Sequence, residues 1–303
     1  MHACMIMDLG RHRWVRTKLM FFHALKEVDV SRSRVVDEDL GYQWDRVVNY
    51  LKKENLFVIF DIIKILKSGQ YNFTNLFWTR QILDHGENWF DTWIDKFSDP
   101  LEWGGEMVFS LSNLHRSNLA IYLCETEGRK IGIEQARRSR QTELGIYNCM
   151  SSAFEANAFL VFSTVLIPHD LNEKAGEIVK RISRVVSSEG KGVGVRIDSP
   201  NGTILVGSKL DLELGWFRDR RTPAYTFETG KVNYTGVLTD ASMFYLRMKE
   251  EVNSYAVVEA TKLLYDGKEL FAVPIWYRCP IPDSGLYDPG SLQAPKWPAW
   301  ESL

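Results

Sequence analysis

The sequence predicts an α+β protein: a mostly helical N-terminal part, then a mixed or antiparallel sheet domain with one packed helix, and an extended C-terminal arm. Three observations carry this expectation. Only Pro100 of the 10 prolines precedes residue 168, and proline is excluded from helix interiors, so the first half is free to be helical and the second is not. Apolar residues in the first half recur at helical spacing, whereas after residue 155 they fall into short runs and alternations separated by Gly, Pro and Asn. Half of the prolines fall after residue 279, which excludes regular structure there. The divisions are a helical region over 1–125, a basic connector over 126–154, a sheet domain over 155–278 and an aromatic, proline-rich arm over 279–303.

Taken in order, "YQWDRVVNYLKKENLFVIFDIIKILKSG" places Val47, Val48, Leu51, Ile59, Ile62, Ile63 and Leu66 at helical spacing, with Gly69 to close the helix. "NFTNLFWTRQILDHG" reads as a shorter helix ending at Gly86. In "ENWFDTWIDKF", Trp89, Trp93 and Phe97 at i, i+4 and i+8 form an aromatic stripe. The connector holds one helical stretch, "IEQARRSRQTEL", whose Arg137, Arg138 and Arg140 read as a solvated face.

"AFLVFSTVLI" then reads as a buried strand. Asp170 and Glu173 form a box-like helix start, with Ile178, Ile182, Val185 and Val186 on one helix face. "GVGVRID", the turn "SPNG" and "TILVGSKLDLEL" form a hairpin, bulged at Gly207. "AYTF", "KVNYTGVL", "MFYLRM" and "AVVEATKLLYDGKELFAVPIWYR" are strands, the last folded at Asp266–Gly267; residues 240–252 read as strand in preference to helix.

Composition narrows the function classes. The formal net charge is -2, and the halves are alike: residues 1–150 carry 20 basic and 20 acidic residues, residues 151–303 carry 17 and 19. No overall field draws in nucleic acid or an anionic membrane. The longest apolar run, "NAFLVFSTVLIP", is too short to span a bilayer and stops at Pro168. The N-terminal apolar patch ends at Asp8, too early for a secretion signal. Cys4, Cys124, Cys149 and Cys279 form no C-x-x-C pair, so a soluble, cytoplasmic protein is expected, and the sequons at Asn72, Asn201 and Asn233 read as chance.

No phosphate loop, nucleophile elbow, zinc-protease, EF-hand or kinase signature occurs, and Gly192 and Gly194 open a strand instead of joining a strand to a helix. His169, in "IPHDLNE", reads as a turn or capping residue at a strand-to-helix junction. In "KLDLELGWFRDRRTP", Leu210, Leu212 and Leu214 face one way and Lys209, Asp211 and Glu213 the other, which suits a half-buried strand with a wet charged row. The same geometry suits a divalent-metal site if a third carboxylate and a lysine are near; Asp198, Glu259 and Lys262 are the candidates. Arg218, Arg220 and Arg221 form a basic contact loop suited to carboxylate or phosphate, and Trp297 and Trp300 are the anchors of the arm.

The expected function is a non-catalytic interaction or assembly protein, of the viral or phage structural, accessory or inhibitor type. It would contact a protein partner or a second copy through the arginine loop and the aromatic arm, without a cofactor. The alternative is a metal-dependent enzyme acting on phosphoesters or nucleic acid through Asp198, Asp211, Glu213, Glu259 and Lys262. Nucleic-acid binding through the arginines is a third, less favoured reading.

Overall fold

The computed structural model describes residues 4–8, 11–15, 17–79, 81–93, 118–125, 127–138, 141–212, 214–217, 220–223, 227–272 and 300–301. The chain divides into two compact units: residues 1–22 with 29–182, and residues 23–28 with 183–303.

The strands through the first unit are β1 (Cys4–Asp8), β2 (Arg11–Val15), β3 (Lys18–Ala24), β4 (Val28–Asp37), β5 (Tyr42–Leu51), β6 (Leu56–Ile65), β7 (Gly69–Thr79), β8 (Ile82–His85), β9 (Trp89–Trp93), β10 (Asn118–Leu123), β11 (Lys130–Arg138), β12 (Gln141–Phe154) and β13 (Phe159–His169). One short helix follows, α1 (Ala175–Val179). Next come β14 (Ile182–Val186), β15 (Gly192–Ser199), β16 (Gly202–Lys209), β17 (Leu214–Phe217), β18 (Arg220–Pro223) and a single helical turn, α2 (Phe227–Gly230). The chain continues through β19 (Val232–Tyr234), β20 (Val237–Thr239), β21 (Met243–Met248), β22 (Val252–Val258), β23 (Lys262–Tyr265), β24 (Lys268–Ala272) and β25 (Trp300–Glu301).

The expected helical N-terminal part is corrected: the protein is 67% strand and 4% helical, a β architecture of several antiparallel sheets and not α+β. The long "helix" over residues 42–69 is the β5–β6 hairpin, paired in register from Tyr42↔Ile65 to Leu51↔Leu56. Its turn places Asn55 at φ 51°, a conformation Asn tolerates better than most residues. The next two "helices" are β7 with β8, and β9; Phe97 lies outside the described residues. The "basic connector" is the β11–β12 hairpin, closed at Arg138↔Gln141. The absence of proline permits strands as readily as helices, and the β-branched residues that crowd β6 favour a strand.

The helix expected from Asp170 to Ser188 is also shorter. Half of the capping box exists, with the Asp170 N–H donating to Glu173 Oε2 at 3.3 Å, but the helix holds only Ala175–Val179. Ile182–Val186 continues as strand β14.

The first unit is built on an eight-stranded sheet of order β3-β4-β5-β6-β13-β10-β9-β8, faced by a three-stranded sheet β11-β12-β7. Two apolar clusters fill the space between them. One holds Tyr42, Ile63, Ile65, Phe73, Met150, Leu160 and Phe162. The other holds Phe90, Ile121, Leu123 and Ile146, with Phe77, Ile131 and Leu166 packed against it.

In the second unit, the sheet β14-β15-β16-β21-β22-β25 faces the sheet β19-β20-β23-β24 over a core of Leu205, Tyr234, Val237, Phe244, Leu246, Val257 and Leu263. The hairpin β15–β16 and the Asp266–Gly267 turn form as expected. No bulge occurs at Gly207: the register runs unbroken through Gly194↔Gly207. A side chain at Gly207 would overlap the Phe244 ring, so the residue is small to admit that ring.

The β19–β20 turn has the same handed geometry as Asp266–Gly267, with Thr235 at φ 50° and Gly236 at φ 92°. A β-branched residue is poorly suited to the left-handed region, at a cost of roughly 1–2 kcal/mol. Thr235→Asn is therefore expected to stabilise the protein by about 1 kcal/mol, read as a higher urea midpoint at unchanged m-value. An unchanged midpoint would contradict strain at this turn.

Candidate functional site

The residues singled out from sequence scatter over the second unit. Asp198 is on β15, where Thr203 Oγ1 donates to its carboxylate at 2.7 Å and Arg196 pairs with it at 3.1 Å. The Thr203 bond, then the arginine, hold its carboxyl below the ordinary aspartate range. Asp211 lies past the far end of β16, so the two carboxylates are separated by the length of that strand, roughly 20 Å at about 3.3 Å per residue. Backbone bonds from Lys209 to Ser242 and from Ser242 to Val258, and the Lys262 N–H donating to the Asp240 carboxylate, bring Asp211, Glu259 and Lys262 toward one end of the unit. There Lys262 Nζ is paired with Glu269 at 2.7 Å and sits 5.6 Å from the Phe227 ring centre.

Leu210 and Leu212 are buried as the alternation requires, but Lys209 is buried too and not in water, because β16 ends there. Glu213, Arg218 and Trp297 lie outside the described residues. Arg220 and Arg221 are on β18, in a hairpin with β17, where a loop was expected. The backbone of Trp300 pairs with Val257 of the same chain. Among the described residues, no group of three or more His, Cys, Asp or Glu is placed to hold a metal ion.

The first unit holds an array that the sequence reading passed over. Between the two apolar clusters runs a polar layer from Arg46 on β5 through Asp61 on β6 to Asn75 on β7 and Asn148 on β12. Register places these side chains together: Arg46 and Phe162 flank Asp61 on the inner face of the large sheet, and Asn75 is paired with Asn148 on the small one. Asp61 is fully buried, and its two oxygens accept from Trp44 Nε1 at 2.8 Å, Arg46 Nε at 2.7 Å, Arg46 Nη2 at 3.1 Å and Asn75 Nδ2 at 2.9 Å. The Asn75 carbonyl oxygen accepts from Arg46 as well, at 3.2 Å. Asp61 is thus saturated, and its charge is neutralised by a guanidinium whose side chain is 47% exposed. This arrangement fixes the two sheets against each other and gives each Asp61 oxygen two donors.

His169 behaves as a structural residue. It is buried at the end of β13, with Nε2 3.2 Å from Asp91 Oδ1 and Nδ1 3.0 Å from the Asp170 carbonyl oxygen. Asn118 Nδ2 donates to the other Asp91 oxygen at 3.3 Å. With both ring nitrogens engaged, the imidazole ties the middle of β9 to the end of β13, and Asn118 joins the start of β10 to them.

The outer face of the sheet β11-β12-β7 has a different character. Leu76 and Trp78 on β7, and Tyr147 and Cys149 on β12, alternate outward. Tyr147 is the partner of Gly132, and Trp78 the partner of Gly145. A side chain at Gly132 would overlap the Tyr147 phenol, and one at Gly145 would press on Leu76 and Trp78. The two rings therefore lie down across the glycines. Leu76, between them, is 40% exposed, and exposed polar residues Gln70, Asn72, Thr74, Lys130, Glu134 and Ser151 surround this strip. The repeated "GIE" and "LGI" about the arginine-rich turn was the signal in the sequence, since both put glycine and isoleucine on opposite faces of a hairpin.

No protein-family model matches this chain, and no curated protein matches it. Two solved structures share a partial similarity of fold. One is the heparinase III BT4657 gene product, at a TM-score of 0.43 and 12% identity, covering 64% of this chain and 28% of that one. The other is the heparan sulfate lyase HepC from Pedobacter heparinus, at 0.44 and 12%, covering 65% and 28%. The chain thus spans less than a third of the length of either. At this level the similarity carries no argument about chemistry.

Proposed function

We propose that this chain is a non-catalytic interaction protein, of structural or accessory type, that docks a protein partner or a second copy of itself through the outer face of β11-β12-β7. The supporting observation is the level apolar strip of Leu76, Trp78 and Tyr147, laid flat by glycine at two cross-strand positions. Glycine weakens a strand interior and marks close approach; here it lets two aromatic rings form a smooth surface. An aromatic centre with a polar rim is the anatomy of a protein interface. The Arg220–Arg221 hairpin is a second contact in this proposal. The reading needs no cofactor. It is compatible with the cytoplasm, where the thiols of Cys124 and Cys149, which form no disulfide, stay reduced. Among the described residues, no helix is long and apolar enough to cross a membrane.

The test is sedimentation of the full chain over a wide concentration range. Leu76→Lys and Trp78→Lys are each expected to raise the dissociation constant of the assembly at least tenfold, or about 1.4 kcal/mol, with the unfolding midpoint of Leu76→Lys unchanged. A chain that stays monomeric moves the docking to a different protein. An assembly indifferent to both substitutions would sink the reading.

A further inference from the structure

We propose that the inner end of the polar layer is a binding site for ordered water, held between Asn148 of β12 and Thr164 of β13. Both residues are fully buried. Among the described residues, neither Nδ2 nor Oδ1 of Asn148 meets a hydrogen-bonding partner, and neither does Thr164 Oγ1. Buried amides and hydroxyls are ordinarily paired, with protein or with water. A residue with every side-chain polar atom orphaned in a dry core would be expensive.

The strand pattern places the two groups at one level of the sandwich. Asn148 lies between Ile146 and Met150 on its strand, and Thr164 lies between Phe162 and Leu166. Ile146 and Leu166 belong to one apolar cluster, Met150 and Phe162 to the other. Asn148 and Thr164 therefore both point into the seam between the clusters, which is the seam that Asp61 and Asn75 occupy. The bulky neighbours set the distance between the sheets. The shorter Asn and Thr side chains at the same level leave room that their neighbours fill elsewhere.

The chemistry of the occupant follows from what the layer already satisfies. Asp61 accepts four hydrogen bonds and is neutralised by Arg46, so no net charge calls for an ion. Asn148 presents two donors and a carbonyl acceptor, and Thr164 one hydroxyl that both donates and accepts. The occupant must be neutral, small, and able to donate and accept at once. Water meets all three demands, and buried water in proteins typically makes about three such bonds.

The experiment is a high-resolution crystal structure of the full chain, with a parallel solution measurement of magnetisation transfer from bound water to the Asn148 side-chain amide. The expected result is density for one or two waters within about 2.7–3.2 Å of Asn148 and Thr164, together with a transfer signal from long-lived water. Thr164→Val, which keeps shape and removes the hydroxyl, is expected to displace or lose the water nearest β13. Asn148→Leu is expected to remove the signal altogether. Density showing the Asn148 amide bonded directly to protein groups, with nothing between, would overturn the proposal. So would density for a larger molecule, or a Thr164→Val structure whose waters are unmoved. Should Asn148→Leu fail to fold, the wild-type density and the Thr164→Val structure decide the matter.

Discussion

Asp45→Ala is expected to destabilise the protein by about 3–5 kcal/mol, whereas Asp198→Ala, which also breaks an arginine–aspartate pair, is expected to cost no more than about 1 kcal/mol. The difference lies in burial. Asp45 on β5 accepts from Arg32 Nε and Arg34 Nη2, each at 2.7 Å on Oδ2, and from Arg34 Nε at 2.7 Å on Oδ1. The side chains of Arg32 and Asp45 are both 0% exposed, and that of Arg34 is 14% exposed. Arg32 and Arg34 stand two apart on β4 and so point to the same face, where one carboxylate serves both. Removing it takes away the acceptor that both guanidinium groups share, and the Arg32 side chain has no access to water to replace it. The Arg196–Asp198 pair has side chains 49% and 51% exposed, so water replaces the lost partner at little cost. Urea unfolding of the two variants checks this, provided the m-values agree with wild type. Equal losses would mean that the Asp45 pair gains nothing from burial.

The same contrast explains which parts of the fold were legible in the sequence. Strands β15, β16 and β21–β24 are short and punctuated by Gly, Pro and Asn, and β13 is one apolar run with Pro168 near its end, so length and turn chemistry marked them; "KVNYTGVL", read as one strand, is the β19–β20 hairpin. Strands β5 and β6 carry doublets, Val47–Val48 and Ile62–Ile63, because both of their faces are largely buried. Doublets erase the period of two and satisfy the i, i+3, i+4 spacing of a helix. Trp89 and Trp93 misled in the same way, since residues four apart share a face in a strand as well as in a helix. The polar layer was hidden for a further reason. Arg46, Asp61, Asn75 and Asn148 span about a hundred positions, and only the pairings β5–β6 and β7–β12 bring them together. Acidic residues close in sequence, such as Asp198 and Asp211, attracted attention instead and lie at opposite ends of the β15–β16 hairpin.

Gly202→Ala is expected to cost about 2–5 kcal/mol, the sum of two penalties that a pair of control variants separates. Gly202 opens β16 at φ 117°, a backbone region that L-residues with a side chain rarely enter. Its position is fixed from both sides. The Ser199 hydroxyl donates to the Gly202 carbonyl oxygen at 2.8 Å, closing the turn, and Thr203 is already in register with Met248 of β21. A methyl group at Gly202 would overlap the Met248 carbonyl. A backbone oxygen in a paired strand cannot rotate away as a side chain would, so either the end of β21 shifts or the hairpin opens. Gly190 and Gly267 also have positive φ, at 66° and 80°, but a methyl there would meet nothing within 4 Å. Gly190→Ala and Gly267→Ala should therefore show the conformational penalty alone, about 1–2 kcal/mol. The excess loss in Gly202→Ala then measures the contact with Met248. If all three variants lose the same stability, the clash is relieved by a small strand adjustment, and the close approach of β16 to β21 is not what requires glycine at this turn.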